Sequence, residues 1–326
     1  MRTLFLVLFF GVWIVSGCSG LFPIQDKTGQ PARCDDVVGR GHLNVLTINL
    51  LFSETETRDA RLDTIADFVS NTPVDVVLLQ EVAGGVLVGT SNSALDLQGK
   101  LRDRESNYDL HTAPETGVPG LLEVANAVLT RCEIDFKMVK RLPKTSELEF
   151  KNHDIKLPRN VMMTRLNVPE FGNLNIYNTH LCAKCNADEM DGQLQALLAF
   201  IDSAETFFPQ TNPVILGGDF NIDRFRVDPF EERVFYDAII DTGFIDAYAV
   251  NRSLADLCEN PELADEHCTV GVSTLDEGDS ARRIDYLFVK NTNVVLQSKV
   301  VFNDLVDEDQ PGASDHAGVF ISIKLP

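Results

Sequence analysis

The chain is poor in basic residues and has no basic run. Among its 326 residues, 28 Lys and Arg stand against 49 Asp and Glu, and the formal net charge at pH 7 is −21. Proteins that bind nucleic acid usually present a basic face, because neutralising phosphates supplies most of their sequence-independent affinity. The chain also has no internal repeat, no low-complexity tract and no Pro/Gly-rich linker. These absences argue against a typical nucleic-acid-binding module and against several domains.

Long apolar runs are also missing, except at the N-terminus. Leu4 to Val15 is apolar but too short to span a bilayer; Arg2 precedes it and the small residues Ser16 and Gly17 follow. This pattern is typical of an export signal. Cys18, directly after the small residues, resembles the lipidated cysteine of the bacterial lipoprotein signal. The alternative is an ordinary signal peptide with an incidental cysteine.

The organisation that we predict has three parts. Residues 1–17 form a signal peptide, residues 18–41 a polar leader after lipidated Cys18, and residues 42–326 one catalytic domain with a substantial core. Removing residues 1–17 takes away one positive charge, which changes the net charge from −21 to −22. We expect an exported lipoprotein that is anchored to a membrane without spanning it and faces the periplasm or the cell surface. The sequence indicates no protein partner, and we expect a monomer.

The cysteines agree with an oxidising compartment. Besides Cys18 there are six of them: Cys34, Cys132, Cys182, Cys185, Cys258 and Cys268. An even number in an exported chain indicates disulfides. Proximity along the chain favours the pairs Cys182–Cys185 and Cys258–Cys268, which leaves Cys34 with Cys132. The Cys182-x-x-Cys185 pair has the alternative interpretations of a redox pair or half of a zinc site. No second Cys or His pair at zinc spacing accompanies it.

Five short polar segments lie at the ends of apolar, strand-like runs, in a fixed order along the chain. They are L-L-Q-E with Glu81, Y-N-T-H-L with His180, G-G-D-F-N with Asp219, R-R-I-D-Y with Asp285, and S-D-H with Asp315 and His316. A strand buried on both faces reads as a continuous apolar run, so polar residues just beyond it lie at the sheet edge where ligands bind. The two glycines before Asp219 would allow backbone to approach a ligand closely. Carboxylates, an amide and two imidazoles suit a magnesium-dependent phosphoester hydrolase.

The periodicity predicts alternating strands and helices. Strands are predicted at 42–50, 74–79, 124–130, 161–168, 174–179, 213–216, 284–289, 294–302 and 318–323, and helices at 59–70, 187–204 and 230–241. Asn186 and Glu189 suit the reciprocal cap of the second helix, and Gly243 suits the end of the third. This combination of many strands with a few helices suggests two packed sheets covered by helices.

The ordered motifs resemble those of the endonuclease/exonuclease/phosphatase superfamily. The set comprises T-I-N-L (Asn49), L-L-Q-E-V, A-N-A-V-L-T-R (residues 125–131), Y-N-T-H-L, G-G-D-F-N, R-R-I-D-Y-L-F-V and S-D-H-A-G-V. That superfamily includes deoxyribonuclease I, abasic-site endonucleases, inositol polyphosphate 5-phosphatases and neutral sphingomyelinases. The resemblance covers essentially the whole domain. It implies an α/β fold, a four-layer sandwich with two packed central β-sheets flanked by helices.

The resemblance also implies a metal site. Glu81 matches the acidic ligand, Asn49 helps to hold metal or phosphate, and Asp315 completes the site. Oxygen donors of this kind favour Mg²⁺, with Mn²⁺ or Ca²⁺ as alternatives, whereas zinc would require His or Cys clusters.

The catalytic roles are implied in the same way. Asp219 positions or activates the water, Asn221 donates to the non-bridging phosphate oxygens, and His180 stabilises the phosphate or protonates the leaving oxygen. His316 acts as general base, oriented by Asp285, because a carboxylate on one imidazole nitrogen raises the basicity of the other. The choice of base between Asp219 and His316 is open.

The expected substrate is a phosphodiester, with a phospholipid favoured over nucleic acid. Residues 253–281 contain eight acids and no Lys or Arg before Arg282, which suggests either a solvated loop or a rim that repels polyanions. We therefore favour a lipid-anchored phosphodiesterase similar to the neutral sphingomyelinases over an exported nuclease. A phosphomonoesterase is the third candidate. The alternative from another class is a non-catalytic surface lipoprotein that reuses the fold.

Overall fold

The structure, a computed structural model, describes residues 34–150, 153–226, 230–253, 257–258, 264–272, 281–292, 294–303 and 312–326. The predicted signal peptide, Cys18 and the leader up to residue 33 lie outside the described residues, as does much of the acidic segment 253–281. Within the described part of the chain, no helix is both long and apolar enough to span a bilayer.

Strands and helices alternate in the first part of the chain, but β3 to β9 follow one another without a helix between them. The strands are β1 His42–Asn49, β2 Val76–Gly84, β3 Asp109–Val118, β4 Leu122–Thr130, β5 Glu133–Arg141, β6 Thr145–Phe150, β7 His153–Leu157, β8 Asn160–Val168, β9 Gly172–His180, β10 Val214–Asp219, β11 Ile245–Asp246, β12 Asp285–Lys290, β13 Val295–Val301 and β14 Gly318–Lys324. The helices are α1 Asp35–Arg40, α2 Arg58–Asn71, α3 Ser93–Asp103, α4 Ala187–Phe207, α5 Arg233–Asp241 and α6 Ala264–His267.

Two six-stranded mixed sheets form the centre of the fold. The first has the order β13-β14-β1-β2-β4-β3 and the second the order β11-β12-β10-β9-β8-β5. Each contains one parallel pair, β1 with β2 and β9 with β10. The carboxyl ends of the parallel strands therefore lie together at one end of each sheet. Strands β6 and β7 form a separate hairpin.

Side-chain alternation builds four layers from these sheets. In β1, Val45 packs in the core between the sheets, whereas Leu46 packs with α2 on the outer face of the first sheet. In β10, Ile215 faces the central core and Leu216 faces α4 and α5. The order of layers is α2 and α3, first sheet, second sheet, α4 and α5. The predicted four-layer α/β sandwich is confirmed.

The capping box predicted for α4 is also confirmed, because the Asn186 side chain accepts from the Glu189 N–H and the Glu189 carboxylate accepts from the Asn186 N–H. The sequence analysis did not predict α3, which carries no long apolar stripe. Nor did it predict β3 and β5, whose residues are largely polar or exposed. Their pairing partners in the sheets determine the extended conformation of these strands, not an apolar run of their own.

Among the described residues there are three disulfides, Cys34–Cys132, Cys182–Cys185 and Cys258–Cys268, which are the three predicted pairs. The first joins α1 to the end of β4, and Val37 of α1 is buried in the central core. Residues 34–41, which the sequence analysis assigned to the leader, thus pack as part of the domain. All the described elements begin at residue 35 or later, so a chain that begins at residue 19 retains them all.

Candidate active site

The predicted site residues continue the inward-facing rows of their strands. Val45 of β1 faces the gap between the sheets, and Asn49, four residues further on, faces the same gap because strand side chains alternate. The same alternation directs His180 of β9, Asp219 of β10 and Asp285 of β12 into this gap. In the register of the second sheet, Asp219 lies opposite His180 on one side and opposite Asp285 on the other. Three reactive side chains therefore meet at one edge.

Asp219 is the centre of this cluster and is almost completely buried. Its Oδ2 accepts from Nδ2 of Asn49 at 3.1 Å, and its Oδ1 accepts from the backbone N–H of Asn221 at 3.0 Å. Nε2 of His180 lies 3.5 Å and Nε2 of His316 lies 4.0 Å from the same Oδ2. The Asn49 contact joins the two sheets, so the site depends on both.

His316 and Asp285 form a second pair beside Asp219. Nδ1 of His316 lies 2.8 Å from Oδ2 of the fully buried Asp285 carboxylate, which is the geometry of an N–H donor and its acceptor. This bond fixes the proton on Nδ1 and leaves Nε2 to take part in proton transfer. Burial alone would lower the pKa of His316, but the carboxylates of Asp285 and Asp219 outweigh it and raise that pKa well above its ordinary value.

Thr269, which the sequence analysis did not identify, supports both members of this pair. Its buried hydroxyl accepts from the backbone N–H groups of Ile284 and Asp285 at 3.1 and 3.2 Å. Its carbonyl accepts from the N–H of Ala317 at 2.7 Å, next to His316. The Cys258–Cys268 disulfide fixes the preceding residue. No apolar run or motif surrounds Thr269, so the sequence carries no signal for this role.

We expect Thr269→Val to lower kcat by about tenfold, the lower end of what outer-shell partners of active-site side chains contribute. Valine keeps the shape of threonine but leaves two buried N–H groups without their acceptor, so Asp285 and His316 lose their fixed orientation. The measurement is kcat against pH on a water-soluble diester, with folding followed by circular dichroism. Thr269→Ser keeps the hydroxyl and should restore most of the activity. Equal loss in both variants would contradict this role.

His180 lies in a charged pocket with residues that the sequence analysis also missed. An Arg159 guanidinium nitrogen lies 2.8 Å from Nδ1 of His180 and 3.3 Å from Oε2 of buried Glu115, whose Oε1 accepts from Asn126 at 2.8 Å. Because arginine only donates, the proton of the neutral imidazole lies on Nε2, which faces Asp219. Burial and Arg159 oppose protonation, but the carboxylates of Asp219 and Glu115 outweigh them and raise the pKa of His180.

Glu81 lies at a β-bulge. The sequence analysis placed it beyond the end of a strand at residue 79, which is wrong, because β2 continues to Gly84 and its pairing with β4 shifts between Leu79 and Val82. Glu81 has a left-handed φ of 53°, uncommon for a non-glycine residue, and its Oε2 accepts from the N–H of Phe52 at 3.1 Å. A bulge of this kind changes the direction of a side chain, here towards the loop after β1.

Buried Arg61 of α2 connects that loop to the segment before His316. Its guanidinium donates to the carbonyls of Leu50 at 2.8 Å and Ala313 at 3.2 Å. Asp315, two residues after Ala313, is half-buried, and its Oδ1 accepts from the Ser314 hydroxyl at 3.0 Å. Arg61 thus holds the loop after Asn49 and the segment with Asp315 on one side of the site.

The oxygen-rich donor set fits a divalent cation. One ligand atom each from Asp219, Asp285 and His316 lies within 4.8 Å of the others, and Oδ1 of Asp285 is buried without a hydrogen-bond partner. The sequence analysis assigned these three residues to catalysis and assigned Glu81, Asn49 and Asp315 to the metal. Asn49 donates to Asp219, and its Oδ1 accepts from the N–H of Leu51 at 3.0 Å, so its carbonyl oxygen already has one partner.

The two glycines before Asp219 serve packing instead of ligand approach. A Cβ on Gly218, whose φ is 138°, would collide with the carbonyl of Thr179 in the neighbouring strand. A Cβ on Gly217 would lie 2.5 Å from the Leu287 side chain and 2.6 Å from that of Leu78, across the gap between the sheets. Glycine lets the strands and sheets approach closely enough to join Asn49 with Asp219.

This combination of layered fold and polar edge defines a class of phosphoester hydrolases. Residues 46–316 match the model of the endonuclease/exonuclease/phosphatase family, and the chain belongs to that family. Members of the family hydrolyse phosphoester bonds and typically use divalent metals. No curated relative matches the chain by sequence.

Solved structures share the fold at low identity. A family protein from Leptotrichia buccalis is 21% identical with a TM-score of 0.61, and the match covers 86% of this chain and 99% of that one. The mannosyl-6-phosphatase Bt3783 from Bacteroides thetaiotaomicron is 20% identical with a TM-score of 0.61, covering 86% and 98%. TDP2 from Caenorhabditis elegans is 14% identical with a TM-score of 0.56, covering 87% and 74%. These likenesses establish the architecture.

Proposed function

We propose that the protein is a metal-dependent phosphodiesterase. The observation that carries the proposal is the cluster in which Asp219 contacts Asn49, His180 and His316 while Asp285 holds Nδ1 of His316. Burying imidazoles and carboxylates next to one another is costly, because each buried charge loses its hydration. A surface lipoprotein without activity would gain nothing that offsets this cost. We therefore favour catalysis over the non-catalytic alternative.

The proposed mechanism is in-line attack of water on the phosphorus. His316 accepts the water proton at Nε2, because its other nitrogen, Nδ1, keeps its proton and donates it in a hydrogen bond to Asp285. The Asp285 carboxylate also stabilises the imidazolium that results. Asp219, 4.0 Å from that nitrogen, orients the water and is the alternative base. His180 presents Nε2 to the phosphate or to the leaving oxygen, and Arg159 and Glu115 hold its ring in place.

A divalent cation belongs to this proposal, and Mg²⁺ is our first choice. Glu81 and Asp315 are the carboxylates that we propose as its ligands, together with Asn49, which donates to Asp219. Asp219, Asp285 and His316, whose ligand atoms lie within 4.8 Å of one another, keep the catalytic roles in this proposal. When bound, such a cation neutralises charge on the phosphate oxygens. A hard cation with one or two carboxylates is typical of Mg²⁺.

For the substrate we propose a phospholipid head-group diester. The strong acidic charge of −21 opposes binding of a polyanion, and no basic run lies along the chain to follow a phosphate backbone. We also propose that the protein is exported and that Cys18 carries a lipid anchor. The anchor would hold the enzyme at a high local concentration near phospholipid. An exported nuclease is the second candidate.

The substrate test compares several phosphoesters with the protein lacking residues 1–18. In Mg²⁺ at moderate salt, we expect release of phosphocholine or a related head group from mixed micelles to be faster than nicking of supercoiled plasmid. A sugar phosphate monoester should be a poor substrate. His316→Ala protein prepared identically controls for contaminating hydrolases. Plasmid nicking without head-group release would make the protein a nuclease, and turnover of the monoester alone would make it a phosphatase.

A further inference from the structure

Two neighbouring loops at the site end of the first sheet form an exposed apolar surface. The first loop follows β2 and the second is the turn between β3 and β4. Their exposed side chains are Val86 (76%), Leu87 (65%), Val118 (58%) and Leu121 (43%). We call these four residues the apolar rim. Four exposed large side chains in one place differ from the scattered apolar residues that any surface carries.

Backbone hydrogen bonds make the apolar rim one continuous surface. The N–H of Val86 donates to the carbonyl of Gly120 at 3.2 Å, and the N–H of Leu87 donates to the carbonyl of Leu121 at 3.0 Å. A Cβ on Gly85 would lie 2.5 Å from the Leu121 carbonyl oxygen, so glycine is required for the two loops to come this close. The two loops therefore present their side chains together.

The rim carries no charge, although the chain is strongly acidic. Residues 82–95 and 116–122 contain no Asp, Glu, Lys, Arg or His, whereas the whole chain carries a net charge of −21. Two charged side chains of opposite sign contact the loop backbone: Arg58 donates to the carbonyl of Val88 at 2.6 Å, and Glu123 accepts from the N–H of Gly120 at 3.4 Å. A protein partner that bound through charge would therefore find no net charge here to recognise. A zwitterionic lipid surface needs none, and it offers acyl chains to the apolar side chains.

Several backbone N–H groups of the two rim loops already have hydrogen-bond acceptors within the protein. The N–H groups of Val88 and Leu121 donate to carbonyls within their own loops, to Gly85 at 3.2 Å and to Val118 at 3.0 Å. Gly85 donates to the carbonyl of Thr90 at 2.7 Å. Unpaired N–H groups are costly in lipid, so the pairing of these donors lowers the cost of entering the interface.

The rim lies beside the active site. It begins directly after β2, which carries Glu81, and β4 runs from the rim to Asn126, whose side chain contacts Glu115 in the His180 pocket. A surface that held lipid here would bring head groups to the edge where Asp219 lies. The N-terminal helix α1 lies at the start of β1, the opposite end of the sheet, so an anchor on the leader does not itself orient the site.

We propose that the apolar rim inserts into a zwitterionic lipid surface and presents the active site to phospholipid head groups. This inference rests on the proposed function for its substrate, but not for binding. It goes beyond the N-terminal anchor, because it assigns membrane contact to the folded domain.

Binding is measured without catalysis, by flotation of the protein lacking residues 1–18 with phosphatidylcholine vesicles in excess chelator. We expect the double variant Val86→Ser, Leu87→Ser to bind at least about tenfold more weakly, since each buried aliphatic side chain contributes appreciably to partition. The matched control is Val234→Ser, Leu296→Ser, which makes the same chemical change at side chains that are 52% and 54% exposed elsewhere. Control and wild type should bind alike, and anionic lipid should weaken both.

Several outcomes separate this inference from the proposed function. Vesicle binding that is lost only in the rim variant supports the inference, even if no phospholipid is hydrolysed. Wild-type protein that does not float, or a rim variant that floats like the control, overturns it. The alternative is that a second copy of the chain covers the rim, and sedimentation without lipid tests it. If the wild type is a dimer and the rim variant a monomer, the rim is a dimer interface and the inference is overturned. Turnover of a water-soluble diester should be unchanged in the rim variant.

Discussion

Replacing His316 with alanine is expected to lower kcat by about 10²- to 10⁴-fold, the usual contribution of a general acid or base. The imidazole is held by Asp285 at 2.8 Å and faces Asp219 across 4.0 Å, so its removal takes away the proposed proton acceptor. In the wild type, activity should fall as the pH falls, because the base must be unprotonated to act. Since the Asp285 and Asp219 carboxylates raise the pKa of His316, this fall should occur at a higher pH than for an ordinary histidine. The measurement is kcat/KM against pH on a chromogenic diester, and the acid limb assigned to His316 should disappear in the variant.

The matched control is His42→Ala. His42 begins β1 at the end of the sheet opposite the site, and its Nδ1 contacts only the carbonyl of Arg40 among the hydrogen bonds identified. It should retain near-normal turnover. Near-normal turnover in the His316 variant would instead transfer the role of base to Asp219, and Asp219→Asn would then show the larger loss.

Removing the metal is expected to abolish phosphodiesterase activity and added Mg²⁺ to restore it. In Glu81→Gln, a carboxylate becomes an amide of the same shape, so most activity should be lost at ordinary Mg²⁺ and partly recovered at high Mg²⁺. The hydrogen bond from Phe52 to the side-chain oxygen can persist, so the local fold should remain. Activity against Mg²⁺ concentration, with Mn²⁺ and Ca²⁺ in parallel, is the measurement.

Glu56→Gln provides the control, because it makes the same change at an exposed residue of the loop after β1. Its Mg²⁺ dependence should match that of the wild type. Full activity in chelator would remove the metal from the mechanism, and an unchanged Mg²⁺ dependence in Glu81→Gln would remove Glu81 from the metal site.

The core strands were predictable because they are buried on both faces. Strands β1, β8, β9 and β12 appear in the sequence as apolar runs, and their predicted bounds agree with the structure within one or two residues. Strands β3 and β5 were not predictable, since their residues are mostly polar or exposed and their partners lie in other parts of the chain. The bulge at Glu81 was missed for a related reason, because it is visible only in the shifted register with β4.

The site was predictable in its motifs but not in its supports. His180 and Asp219 each end an apolar run and Asp285 begins one, and the resemblance to a known family related them to one another. Glu115 reaches His180 from β3 and Arg159 from the residue just before β8, and no local pattern distinguishes them from other polar residues. Such partners depend on which strands become neighbours.

The sequence by itself determined the class of fold, the six paired cysteines and the polar residues at the strand ends, because burial on both faces and alternation are local properties of a chain. Tertiary structure decided what these residues do together. The register of β10 with β9 and β12, and the close approach that Gly217 and Gly218 permit, bring Asp219 into contact with groups from both sheets. Contacts between distant segments are set by packing of whole layers, and no local pattern encodes that packing.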